Sequence, residues 1–132
     1  MKKFFIITFI ILGILFTLTA CGNNNSNNIH LKILATSWAF SDKLEESEEE
    51  FNYDIKLNEK YVVKEGSLGL TFTVTKINKD SIVIKTTEPF SDSEDSVNLK
   101  SDKKEFIIEK GKQIKLSTPT MDAGGIYTFI LD

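Results

Sequence analysis

After an apolar opening and a polar tract of asparagines, the chain is patterned with a period of two. Ile29-His30-Leu31-Lys32-Ile33 alternates apolar and polar side chains, and Phe51, Tyr53, Ile55 and Leu57 alternate with Asn52, Asp54 and Lys56. That alternation places every second residue on one face of a strand, the pattern of a half-buried sheet. Tyr61 to Val63 is a short strand ending at Lys64-Glu65-Gly66. Leu70, Phe72 and Val74 form one face of the next, with Thr71, Thr73 and Thr75 on the other. Asn78-Lys79-Asp80 has turn chemistry and leads into a return strand, Ser81 to Lys85, so this pair is the clearest hairpin. Val97 to Leu99, Glu105 to Glu109, Gln113 to Leu116 and Ile126 to Leu131 complete the set, with Lys110-Gly111 joining two of them tightly. The stretch Asp42 to Glu50 is read as a short helix with Ser41 as N-cap or as an acidic loop. Helices that could cross over between parallel strands are missing, which excludes a doubly wound sheet. The expectation is a single antiparallel all-β sandwich of about seven or eight strands.

The first 21 residues change the picture. Lys2 and Lys3 precede an apolar run from Phe4 to Phe16 broken only by Thr8 and Gly13, and Leu18-Thr19-Ala20-Cys21 follows. This resembles the signal peptide and lipobox of bacterial lipoproteins. The resemblance implies that Cys21 carries a diacylglyceryl group and that a peptidase removes residues 1–20. A transmembrane span needs about 20 apolar residues, and the run here is shorter, with the charge asymmetry and small terminal residues of a cleaved signal. A plain secretory signal would leave the chain's single cysteine unpaired outside the cell. Two acyl chains give stable anchoring where one does not. The expected organisation is therefore a signal peptide over 1–20, a lipidated cysteine and Asn-rich linker over 21–28, and one folded domain over 29–132. The expected address is the extracytoplasmic face of the cell membrane. The arginine-free, Asn- and Ile-rich composition suggests an AT-rich, Gram-positive source.

Without Lys2 and Lys3 the chain keeps 14 lysines against 19 acidic residues, a balance of −5. An acidic chain without arginine is poorly suited to nucleic acid, so no nucleic-acid partner is expected. With Cys21 acylated there is no disulfide, and the domain depends on its hydrophobic core. Asp122-Ala123-Gly124-Gly125-Ile126-Tyr127-Thr128-Phe129 resembles the tyrosine corner of immunoglobulin-type sandwiches, in which the hydroxyl of the Tyr bonds back to the chain. Phe129 stands where those domains carry a cysteine, and Asp122 lies one residue farther from Tyr127. The resemblance implies an Ig-like arrangement and nothing about a ligand.

Candidate chemistry is sparse. His30 is the only histidine, no G-x-S-x-G elbow presents a serine, and zinc would need three or four ligands that His30 and Cys21 cannot supply. Enzymatic activity and a cofactor are not expected. Asp92, Glu94 and Asp95 are the residues on which calcium would depend, although the glycine and terminal glutamate of an EF-hand loop are missing. Trp38, Phe40 and Phe90, read as lying outside regular strands, and Met121, in a loop after Pro119, are candidates for ligand or partner contact. Small Ig-like inhibitors of cysteine proteases use such loops, but their Arg-Pro-Trp and NPTTG elements are absent. The expected function is a non-catalytic module that binds an envelope protein or a wall component, with calcium or carbohydrate binding and protease inhibition as alternatives.

Overall fold

A computed structural model of the chain describes residues 28–40, 44–66, 68–93 and 97–132. The expected signal peptide, Cys21 and the expected linker up to residue 27 lie outside the described residues. Eight strands are formed: β1 (Ile29–Phe40), β2 (Leu44–Ile55), β3 (Lys60–Val62), β4 (Thr71–Ile77), β5 (Ser81–Thr86), β6 (Glu105–Glu109), β7 (Gln113–Ser117) and β8 (Ala123–Leu131). They make two four-stranded sheets, in the orders β2-β1-β8-β7 and β3-β4-β5-β6, with all neighbours antiparallel. The expected sandwich is present. Consecutive strands pair within each sheet, the chain changes sheet only between β2 and β3 and between β6 and β7, and β8 returns to pair with β1. The likeness to an immunoglobulin domain is thus one of two-sheet architecture and not of Greek-key strand order.

Alternation builds the core. Leu31, Ile33 and Ala35 of β1 and Tyr127, Phe129 and Leu131 of β8 point inward from one sheet. Phe72 and Val74, Ile82 and Ile84, and Phe106 and Ile108 answer from the other. Phe72 meets Phe129 edge-on across the gap at 5.7 Å between ring centroids, and each buried aromatic or aliphatic side chain contributes about 1.5–3 kcal/mol. One side is closed by Tyr61, which stacks on Phe72 at 5.3 Å. Its hydroxyl donates to the Asp54 carbonyl at 3.2 Å and accepts from the Lys56 amide at 2.9 Å. That ties β3 to the end of β2.

Three expectations are corrected. Residues 44–50 are neither helix nor loop; they are the first half of β2, paired with β1 from Phe40↔Leu44 to Leu34↔Glu50. Glutamate favours helix in isolation, but a helix here would have almost no apolar face to bury. The free edge of β1 supplies backbone partners instead, and charges on the edge strand keep it from pairing with other chains. Val97–Leu99 is not a strand. The connection from β5 to β6 is folded back by side chains: Ser91 Oγ accepts from the Asn98 amide at 2.9 Å, and Ser101 Oγ donates to the Phe90 carbonyl at 2.6 Å. Finally, the Tyr127 hydroxyl does not bond to the chain just upstream. It donates to the Leu68 carbonyl at 2.9 Å, 59 residues away, and so pins the β3–β4 loop to the opposite sheet.

Candidate interaction surface

The outer face of the β2-β1-β8-β7 sheet breaks the usual rule that the solvated side of an antiparallel sheet is polar. Because Leu31, Ile33 and Ala35 face inward, Leu34, Thr36 and Trp38 face out; on β8, Ile126, Thr128 and Ile130 do the same. The register sets these in cross-strand rows: Lys32 beside Ile130, Leu34 beside Thr128, Thr36 beside Ile126, and Trp38 beside Gly124. Leu34, Ile126, Ile130 and Trp38 are half-buried by their neighbours alone. They form an apolar strip along the middle of the sheet.

Polar groups border the strip on both sides. On β2, Glu48, Glu50 and Asn52 stand opposite Thr36, Leu34 and Lys32, and on β7, Lys115 stands opposite Thr128. The Asn52 amide donates to Glu50 at 3.0 Å and the Lys32 ammonium lies 3.7 Å from it. Those two neighbours, the hydrogen bond first, hold the Glu50 carboxyl below its usual pKa. The β2 margin therefore stays anionic at neutral pH.

Trp38 occupies one end of the strip. Gly124 is its cross-strand partner, and a Cβ there would lie 3.0 Å from the indole and would collide with the Thr118 hydroxyl. The bare backbone of Gly124 is what lets the indole, Thr118 and Thr120 close over the sheet. The Thr118 hydroxyl in turn accepts from the Gly125 amide at 3.0 Å.

The other expected contact residues are scattered. Phe40 is the last residue of β1, so neither it nor Trp38 lies outside a strand. Phe90 is no surface group: it is 1% exposed and packs edge-on against Tyr127 at 5.8 Å. The backbone bonds that Ser91 exchanges with Ser117, at 2.8 and 2.9 Å, hold Phe90 in the core. Met121 is 70% exposed on the β7–β8 loop. Asp92 is exposed and paired with Lys103, while Glu94 and Asp95 lie outside the described residues. Asp92 sits next to β7, and Glu48, Glu49 and Glu50 lie on β2 at the opposite edge of the same sheet, so these described carboxylates do not converge. Among the described residues no group of three or more His, Asp or Glu side chains is placed to hold a metal. His30 Nδ1 pairs with Asp54 at 2.6 Å in the open.

Leu34, Ile126 and Ile130 were not singled out from the sequence. The available signal was that the final strand is apolar at nearly every position, which a half-solvated strand does not require. Comparison with protein-family models, curated proteins and solved structures finds no match for this chain.

Proposed function

We propose that this protein is a lipid-anchored, extracytoplasmic, non-catalytic binding module. It holds a protein partner on the outer face of the β2-β1-β8-β7 sheet. The apolar strip of Leu34, Ile126, Ile130 and Trp38 is the observation that carries this reading, because the solvated face of an antiparallel sheet is ordinarily polar; on the other sheet Val62, Val83 and Ile107 stand among threonines and lysines. The anionic β2 margin sets the partner's chemistry: apolar side chains flanked by lysine or arginine. Support for the membrane address comes from the resemblance of Leu18-Thr19-Ala20-Cys21 to a lipobox.

The test is a photocrosslinking amino acid at position 126, with position 73 on the other sheet as control, in intact cells. A discrete adduct from 126, absent from 73 and lost in Glu48→Lys/Glu50→Lys, supports the reading. Equal adducts from both positions, or none from 126, overturn it.

A second reading rests on a different feature. Thr73, Thr75, Lys85, Thr86, Thr87 and Lys104 line a groove of about 380 Å³ on the opposite sheet, rich in hydroxyl and ammonium groups. That composition suits an anionic wall polymer. Co-sedimentation with purified walls that vanishes in Lys85→Glu/Lys104→Glu would favour it; no co-sedimentation would dismiss it.

A further inference from the structure

The two ends of the sandwich are closed differently. Tyr127 and Phe90 pack across one end, beneath the long β5–β6 connection. At the other end, beside Asn28, the described residues leave the sandwich open. A cleft of about 990 Å³ lies there between the sheets. Buried Ile55 and Leu131 and half-buried Ile29 and Ile77 line its depth, and exposed Lys79 and Lys110 stand on its walls. Asp132 is the only carboxylate among its lining residues. Each of the three turns at this end carries a lysine: Lys56 between β2 and β3, Lys79 between β4 and β5, and Lys110 between β6 and β7. The first of these turns also exposes Leu57 by 53%, held out by Asn58, whose φ of 62° is left-handed.

The chain outside the described domain limits what can reach this cleft. Seven polar residues, 22–28, separate Cys21 from β1, a root-mean-square reach of about 15 Å. β1 itself spans roughly 40 Å at about 3.3 Å per residue. An anchor at Cys21 thus keeps the open end beside the bilayer and the far end away from it.

Taking the lipid anchor of the proposed function as its premise, we infer that this open end seats on the membrane. Lys79 and Lys110 bind the phosphates of anionic phospholipid headgroups, and Leu57 and the isoleucine-lined cleft meet the apolar boundary beneath. Ammonium groups close to an anionic surface are attracted to it, and exposed apolar side chains strengthen that contact. The strip on the β2-β1-β8-β7 sheet would then stand roughly upright from the bilayer, open to a partner.

The test uses the full acylated protein with a Gly/Ser tether several times longer than the natural one, so that closeness is not imposed by the linker. A fluorophore is placed at Asp80→Cys beside the cleft or at Met121→Cys at the far end, and spin-labelled headgroups act as quencher. On vesicles of phosphatidylcholine with phosphatidylglycerol, Asp80→Cys should be quenched severalfold more than Met121→Cys. That difference should shrink towards equality on phosphatidylcholine alone, and likewise in Lys79→Gln/Lys110→Gln, where each lost ammonium weakens the attraction to the anionic surface on the order of fivefold. Equal quenching at the two positions on the anionic vesicles overturns the docking. The mass of the Cys21 peptide from the same preparation separates the premises: equal quenching with Cys21 acylated sinks the docking alone, whereas unmodified Cys21 sinks the anchor and the docking with it.

Discussion

Replacing Tyr127 with Phe isolates one hydrogen bond and gives it a pH signature. Tyr127 is 1% exposed, and its hydroxyl donates to the Leu68 carbonyl at 2.9 Å. Phenylalanine keeps the ring and its contact with Phe90 but removes the donor. A hydrogen bond of this kind contributes a net of about 1 kcal/mol. The Leu68 carbonyl lies on a partly exposed loop and can turn to water, so Tyr127→Phe should cost about 1–1.5 kcal/mol at pH 8. Burial raises the Tyr127 pKa from 10.0 to about 12. A raised folded-state pKa contributes stability that is complete below the unfolded pKa and is lost as pH climbs towards the folded one. Between pH 10 and 12 the unfolded tyrosine ionises while the folded one stays neutral. The wild type therefore loses about 1.4 kcal/mol relative to the variant by pH 11. The two proteins should be equally stable near that pH, and the variant more stable above it. Urea unfolding of both at several pH values measures the difference, from which the titration of the lysines cancels. A difference that does not change between pH 8 and 11, or a variant as stable as wild type at pH 8, would refute the reasoning.

Other outcomes follow from the same packing. Phe90→Ala should destabilise by about 3–5 kcal/mol in urea unfolding; a loss below about 0.5 kcal/mol would return Phe90 to the surface. Gly124→Ala places a methyl where Thr118 and the Trp38 indole now lie. It should cost about 1–3 kcal/mol and shift the emission of the chain's single tryptophan, and an unchanged spectrum would contradict the close approach. Gly69→Ala directs a Cβ into the Lys64 carbonyl, so its melting temperature should fall, whereas Met121→Ala should melt within error of wild type.

Much of the fold could be read along the chain because local chemistry and tertiary contacts agree there. Asn78-Lys79-Asp80 does turn β4 into β5, helped by the Asn78 amide donating to the Ser81 carbonyl at 2.8 Å. β6 runs over the residues its alternation marks, Glu105–Glu109. The glutamates of β2 misled because their helix preference is intrinsic, while the strand is imposed by β1, a partner that no local window contains. Phe90 misled for a similar reason: Pro89 and the polar residues around it look like a loop tip, and only the pairing of Ser91 with Ser117 turns the ring inward. Trp38 lies inside a strand and not in a loop, since β1 extends well beyond the alternating Ile29–Ile33 segment. The apolar strip depends on register between β1 and β8. Its members lie about 90 positions apart in sequence, and no pattern along the chain brings them together.

Where the domain is held is measured at one residue. Mass spectrometry of the N-terminal peptide of the native protein should find Cys21 first in the chain, residues 1–20 gone, and a diacylglyceryl group on its sulfur. A peptide that begins elsewhere, or a Cys21 without lipid, would contradict it.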